Sequence, residues 1–463
     1  MLRFLFIFCL SLLLSASSFS LYDLLSKKIA AKGYSSAQLE LAIKHDVTEA
    51  LRVDIENHKT GSRTWLALAK KLARTDADFA WQLHHYYQAH NVRNSAYFKN
   101  RALAMGFKPA VIDQAQQLAT RGSYVAALKL LQPLDDETKF ELALDYVIAS
   151  GSTERITKLL SESSKYLNKQ RLTELQRYHI IKTANTREEK VYCPYPVQFF
   201  ATTLGHLQKI DEHIKQLEKQ PALSQYFCFL TPKYIAKQNL QCTNDASTRL
   251  TCSFNQIAIA KIANNVRYVG VLATQGIANV NNGMIFIDQH DTLDVFEHEL
   301  WHLLGFIDEY PLPELHGACD RAGSPSHNIV VTTKRYFTNE QEARQWLKEH
   351  VQWSSLILPT TPIGMNTAQG FRLGTPLDYR VHVGLYPART CDHSNNALQA
   401  YKPVYSYSKM EYYETLFPAD YLALFKLAPT RYLMPSYQHF LARQQKNSAI
   451  EVRLSNINAN AVD

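Results

Sequence analysis

Apolar residues recur at three- and four-residue spacing through the first 190 positions, then give way to shorter runs of alternating or continuous hydrophobicity. Trp65, Leu66, Leu68, Ala69 and Leu72 share one helical face, as do Ala115, Leu118 and Ala119. This spacing predicts helix after helix from about residue 21 to 189. The charged run 185–190 marks a boundary, and Cys193-Pro194-Tyr195-Pro196 opens a second region. There the pattern predicts a helix over about 203–219. Short strands follow at 226–230, 240–243, 250–254, 257–262 and 267–273, rich in β-branched and aromatic residues. Residues 276–283 read as a turn-rich loop, and 284–288 as a strand able to form the edge of a sheet. Val295, Phe296, Leu300, Leu303 and Leu304 then return to helical spacing, with Asp291 or Asp294 placed to cap the helix start. The expected architecture is α + α/β: a targeting segment at 1–20, a helical repeat or bundle domain at 21–190, an α/β domain at 191–430 and a tail at 431–463.

Within the helical half, residues 118–131 align weakly with 147–160 and set Gly122 opposite Gly151 in turns between paired helices. The echo resembles a degenerate tetratricopeptide-type array, whose stacked pairs make concave binding surfaces; an irregular bundle fits the pattern as well. No catalytic constellation falls here. His84, His85 and His90 read as surface or capping residues, and the region as a packing module or a docking site for a protein partner. With 46% hydrophobic and 20% charged residues the chain is globular, not disordered, and its 463 residues exceed one ordinary core. A net charge of +8 spread without a basic stripe argues against a nucleic-acid partner. Arg3 followed by a short apolar run at 4–14 and small residues at 15–18 reads as a cleavable export signal, too short to span a membrane. No later run is long and apolar enough to span either, so no transmembrane anchor is expected after cleavage. Six cysteines then remain, Cys193, Cys228, Cys242, Cys252, Cys319 and Cys391. The even count in an exported, periplasmic or secreted chain favours up to three disulfides. Cys242 with Cys252 closes a small loop and Cys319 with Cys391 ties two longer ones, although spacing alone leaves the pairing open.

The chemistry concentrates in one run. His298-Glu299-Leu300-Trp301-His302 is an H-E-x-x-H motif, and it continues through Gly305 to Asp308. Residues four apart on a helix leave the same face one turn apart, so His298 and His302 offer one zinc ion two imidazole nitrogens. Glu299 lies beside the first histidine, where it reaches a water rather than the metal. Gly305 supplies the left-handed turn that ends the helix, and Asp308 returns as third ligand. Glu309 and His316 stand as alternative third ligands; otherwise Glu309 and Tyr310 brace the loop. Three protein ligands and one open position form a catalytic rather than a structural zinc site.

The run His298 to Asp308 resembles the metzincin zinc peptidases, in the branch with aspartate as the last ligand. Its continuation, Asp308-Glu309-Tyr310-Pro311, resembles the bacterial IgA-peptidase-like metallopeptidases. Further segments fall in that family's order: Trp353-Ser354-Ser355-Leu356, Thr361-Pro362-Ile363, Val383-Gly384-Leu385-Tyr386, Ala400-Tyr401-Lys402-Pro403, and Met410 where a methionine turn belongs. The resemblance spans about 266–425 and leaves out the helical half. The chain departs from it at Trp301, where the family usually has glycine, and at Ser408-Lys409, where a cysteine often precedes the methionine. It implies a metzincin-like zinc-peptidase domain, with the methionine as an apolar floor beneath the metal. It also implies a role for Tyr412, two residues after Met410, in holding zinc-bound water or the tetrahedral oxygen.

The function expected is hydrolysis of peptide bonds in a protein or peptide substrate by an exported zinc endopeptidase. His298, His302 and Asp308 hold Zn2+, Glu299 is the general base and Tyr412 assists. The alternatives are a zinc-stabilised binding or scaffold protein without turnover, and a zinc amidase acting on cell-wall material.

Overall fold

The computed structural model describes residues 21–444 apart from 91, 182–192, 244 and 395–396. The expected targeting segment, the charged boundary run and the chain beyond 444 lie outside the described residues. Two compact units divide between Tyr146 and Val147.

The first unit is helical: α1 (residues 21–30), α2 (Ser36–Lys44), α3 (Thr48–Glu56), α4 (Arg63–Leu72), α5 (Ala77–His90), α6 (Val92–Ala104), α7 (Lys108–Thr120), α8 (Tyr124–Leu130) and the larger part of α9 (Asp136–Ser150). Helix α4 shows why these residues form helices. Ser62 accepts the Trp65 N–H at 3.2 Å and so caps the first turn. Trp65, Leu68, Ala69 and Leu72 bury one stripe, while Lys70 and Lys71 sit in the last turn, where positive charge suits the helix dipole. That stripe joins Leu83, Tyr87 and Phe98 from α5 and α6 in one core. Gly122 and Gly151 both have positive φ in the turns that end α7 and α9, as the sequence echo requires. His84 is not at the surface as expected. It is buried beside Ser95, whose hydroxyl lies 2.8 Å from its Nδ1, so α5 and α6 share a polar contact in their seam.

The second unit begins well before residue 191, and the expected boundary moves accordingly. It includes α10 (Thr153–Glu162) and α11 (Lys169–Arg177), and the ends of α9 and α11 are tied to the sheet and helix that follow. The Tyr234 hydroxyl donates to the Ile148 carbonyl at 2.7 Å and the Tyr234 N–H to that of Tyr178 at 2.8 Å, while Arg177 pairs with Asp211 at 2.6 Å.

That sheet has five strands in the order β2-β1-β5-β7-β6. They are β1 (Tyr195–Ala201), β2 (Phe227–Tyr234), β5 (Tyr268–Ala273), β6 (Asn279–Asn281) and β7 (Met284–Asp288). β1, β2, β5 and β7 run parallel, and β6 returns antiparallel to β7. The continuous apolar runs of β1, β5 and β7 follow from cover on both faces. On one face α12 (Leu204–Leu217), capped by Thr203, packs with Phe296 of the helix Leu293–Leu303 against Phe199 and Phe229. On the other, Phe200, Val269, Val271, Met284 and Phe286 meet Leu240, Leu250 and Ala258.

Two expectations change here. Residues 257–262 are not a strand: Asn255 accepts the Ala258 N–H at 3.0 Å and starts the short helix α14 (Gln256–Ile259), a local cap that overrides β propensity. β7 is interior, because Asn282 and Gly283 both take positive φ and fold 279–281 back beside it. The edge strand is therefore β6. At the end of the chain, where the sequence from Tyr432 starts as a possible helix, a helix over 437–444 lays Tyr437, Phe440 and Leu441 on the sheet. Finally, the disulfide pairs left open by the sequence are Cys193–Cys228, Cys242–Cys252 and Cys319–Cys391. The second closes the hairpin of β3 (Leu240–Cys242) and β4 (Cys252–Phe254). Among the described residues no helix is long and apolar enough to cross a membrane.

Candidate metal centre

Helix α15 (Leu293–Leu303) carries the motif. Its cap is Thr292, which accepts the Val295 N–H at 3.4 Å, and neither Asp291 nor Asp294 takes that place. Asp291 is drawn back to the Asp288 N–H at 2.6 Å, and Asp294 pairs with Lys409 Nζ at 3.0 Å. Phe296, Leu300, Trp301 and Leu303 bury the apolar side. Trp301 stacks on Phe417 with ring centroids 3.5 Å apart, which accounts for a large residue between the two histidines.

The helix stops at Gly305, which has φ +90. A Cβ there would stand 2.3 Å from the Tyr432 carbonyl oxygen, so both the conformation and the space require glycine. The turn brings the Phe306 carbonyl 2.9 Å from His302 Nδ1, and Asn328 then holds Ile307 by both its N–H and its carbonyl, at 3.1 and 2.9 Å. The Asp308 carbonyl accepts from Thr390 Oγ1 at 3.0 Å, next to the Cys319–Cys391 bridge.

As a result His298, His302 and Asp308 converge. His298 Nε2 lies 3.1 Å from His302 Nε2 and 3.1 Å from Asp308 Oδ1, and His302 Nε2 lies 3.2 Å from the same oxygen. The outer nitrogens fix the tautomers. His298 Nδ1 is 2.7 Å from the Lys409 carbonyl and His302 Nδ1 2.9 Å from that of Phe306. A carbonyl only accepts, so each Nδ1 carries the hydrogen and each neutral Nε2 presents a lone pair. Two lone pairs and a carboxylate oxygen thus face one another in a buried site, an arrangement that a cation among them would stabilise. Three atoms bound to one tetrahedral zinc at about 2.0–2.1 Å lie about 3.3 Å apart, so the donor set fits. A proton serves only one pair of these atoms. In that state burial disfavours the charged His302 ring, but the Asp308 carboxylate outweighs it and pushes the pKa up to about 9. Asp308 is held well below the usual carboxylate range, burial opposing and the His302 ring prevailing.

Glu299 is buried one residue along, and its Oε2 has no hydrogen-bond partner among the described residues. Burial pushes its carboxyl up to about 7, against the pull of the two imidazoles. A carboxylate so placed exchanges protons near neutrality.

Met410 is fully buried in a turn at 408–412, where the Glu411 and Tyr412 N–H groups both reach the Ser408 carbonyl. Lys409 in that turn clamps α15 twice. Its carbonyl orients His298, and its buried ammonium reaches Asp294 and Glu297, the latter at 3.3 Å. Glu309 is fully buried and is not a ligand. Its carboxylate accepts from Asn328 Nδ2 at 3.0 Å, Lys402 Nζ at 2.9 Å, Ser408 Oγ at 2.9 Å and the Tyr421 hydroxyl. Its N–H donates to the Met410 carbonyl at 2.9 Å. The ligand loop, the methionine turn and β13 (Gln399–Lys402) are thereby joined at one buried carboxylate. Tyr310 stands two residues past Asp308, and burial together with the nearby Asp308 carboxylate pushes its phenol well above the usual range. His316 is engaged elsewhere, its Nδ1 accepting the Ala318 N–H at 3.2 Å. Tyr412 is 44% exposed and packs its ring edge-on against Tyr407, on the same turn as Met410.

Lys402, Ser408, Lys409, Asn328 and Thr390 are the supporting residues that the sequence reading missed. Lys402, Ser408 and Lys409 stood in segments that the resemblance picked out, but without the supporting role they have here. Comparison with protein-family models, curated proteins and solved structures yields no match.

Proposed function

We propose that this chain is an exported zinc-dependent endopeptidase of metzincin-like design. The observation that carries the reading is the set of three mutually facing donor atoms, 3.1–3.2 Å apart, whose outer nitrogens are committed to backbone carbonyls. Bound by His298, His302 and Asp308, zinc supplies a Lewis acid that polarises a carbonyl and lowers the pKa of a water. The chain's own groups do the rest. Glu299 takes the proton of the attacking water through its unpartnered oxygen and delivers it to the leaving amine. Lys409 and Phe306 hold the two imidazoles in the tautomer that binds metal. Tyr310 braces the loop that carries Asp308. We assign to Tyr412, exposed on the methionine turn, the oxygen that gains charge in the tetrahedral state. The apolar run at 4–14 and three disulfides favour export to the periplasm or beyond, and the helical unit offers a surface for a protein partner.

The test is zinc content together with cleavage of a mixed peptide library. Wild type should bind one zinc and cut. Glu299→Gln should bind one zinc and not cut, and His302→Ala should do neither. Zinc in both wild type and Glu299→Gln with no cuts from either would remove the peptidase reading, in favour of a scaffold or of a non-peptide amide as substrate. Undiminished cutting by Glu299→Gln would remove the proposed base.

A further inference from the structure

The hairpin of β3 and β4, closed by Cys242–Cys252, holds Arg249 in its loop, next to the edge strand β6 that packs against α15. Residues 248–250 lie alongside Ile277, which donates its N–H to the Thr248 carbonyl and accepts the Leu250 N–H, both at 2.9 Å. The Leu250 carbonyl also takes the Asn279 side chain at 2.7 Å. The loop therefore ends against the first residue of the edge strand β6. Leu250 is fully buried in the sheet core, so the loop is rigidly anchored while Arg249 itself is exposed. Its guanidinium acts electrostatically on both Tyr310, the neighbour of ligand Asp308, and His316. Among the described residues no carboxylate pairs with it. Ile277 beside it is also exposed.

We propose that Arg249 is a specificity residue, selecting peptides that present a carboxylate about two residues beyond the segment paired with β6. This rests on the peptidase reading above. An extended peptide added to the open side of β6 gains backbone hydrogen bonds that are blind to sequence. One of its ends then meets the loop at 248–250. An arginine there, fixed in position and free of an internal partner, offers a planar fork that matches a carboxylate. The carboxylate comes from an aspartate or glutamate side chain, or from the end of the peptide chain. Both present the same group to the guanidinium.

Binding is read on the inactive Glu299→Gln background and cleavage on the active enzyme. Peptides compared are one with an acidic residue, its amide counterpart, and each with a free or an amidated C-terminus. Acidic or free-ended peptides should bind at least about tenfold tighter than their neutral counterparts, with the difference shrinking at high salt. Adding Arg249→Gln should erase that difference while zinc content stays at one, and Arg249→Glu should shift cleavage towards peptides with lysine or arginine. Loss of the preference on amidating the terminus alone supports the terminal source; loss on replacing the internal acid alone supports the side-chain source. A wild type that cuts peptides with a preference unchanged by Arg249→Gln overturns the inference and leaves the peptidase intact. A wild type that cuts none overturns the peptidase.

Discussion

Lys402→Met tests whether the buried carboxylate network holds the Asp308 loop in place. Lys402 Nζ is 2.9 Å from Glu309 Oε2 and 2.8 Å from Glu411 Oε2, and it also donates to the Ser406 carbonyl at 3.2 Å. All three side chains are buried, with exposures of 5% for the lysine, 0% for Glu309 and 7% for Glu411. Burial alone would lower the lysine pKa, but the two carboxylates outweigh it and hold the ammonium above its usual range. Methionine keeps the stem and removes the charge, so packing changes little. Two buried carboxylates then lose their cation, and breaking a buried pair by removing one partner costs about 3–5 kcal/mol. Glu309 keeps its bonds from Asn328, Ser408 and Tyr421, which sets the cost near the lower end, about 3 kcal/mol. At about 2–4 °C per kcal/mol, the second unit should melt about 6–12 °C lower. A chain with two units has no single melting transition. Hydrogen exchange of peptides covering 305–312 and 400–411 is therefore the direct assay, read beside zinc affinity, which should weaken about 10–100-fold as Asp308 loses its anchored neighbour. The double variant with Glu309→Gln should be less unstable than the sum of the two singles by more than about 1 kcal/mol. Unchanged exchange at 305–312 with unchanged zinc affinity would refute the argument.

His327 is fully buried between the rings of Phe306, Phe425 and Tyr432, and burial holds its pKa down to about 4. The folded state therefore binds fewer protons than the unfolded state below about pH 6.5, and stability falls as pH drops through the window from 6.5 to 4. His327→Phe should remove about 2.5 kcal/mol of the loss that wild type shows between pH 7.5 and 4.5, measured as urea midpoints. An equal acid loss in both proteins would rule out this ring as its source. Replacing Cys319 and Cys391 together by serine opens a closure of 72 residues, which costs about 4 kcal/mol in the chain-entropy model. Zinc affinity should fall with it, since Thr390 beside the bridge holds the Asp308 carbonyl, and a stable variant with full affinity would contradict this. Gly305→Ala should cost at least about 2 kcal/mol from the left-handed backbone and the Tyr432 contact, and a neutral result in a urea melt would count against that account.

What was legible in the sequence is what one local rule decides. The spacing of His298 and His302, the stop at Gly305 and the return of Asp308 follow from helix pitch and one left-handed turn, and the structure brings those three side chains together. The four-residue pattern of α4 and the apolar run of β5 were legible for the same reason. The edge strand was legible in principle as well. Asn282-Gly283 is a strong two-residue hairpin signal, but the surrounding asparagines hid the three-residue strand before it. Residues 257–262 show the opposite failure, where isoleucine-rich composition outweighed a cap at Asn255. The domain boundary escaped because the bonds from Tyr234 to Ile148 and Tyr178 span 86 and 56 positions, and no periodicity records such contacts.

The support of the site was illegible for a deeper reason, and that reason explains its construction. A helix can place two imidazoles, but it cannot fix which nitrogen carries the proton. One tautomer is set locally, by Phe306 four residues past His302. The other is set by Lys409, 111 positions past His298. The long-range carbonyl is held in register by side chains of both charges: Lys409 to Asp294 and Glu297 on the metal helix, and Glu309 to Lys402 and Ser408 across the loop. These residues carry no motif because each is specified by its partner's burial rather than by its neighbours in the chain. The turn at Met410 therefore does more than supply an apolar surface, since its backbone decides whether His298 faces His302 and Asp308 with a lone pair or a hydrogen.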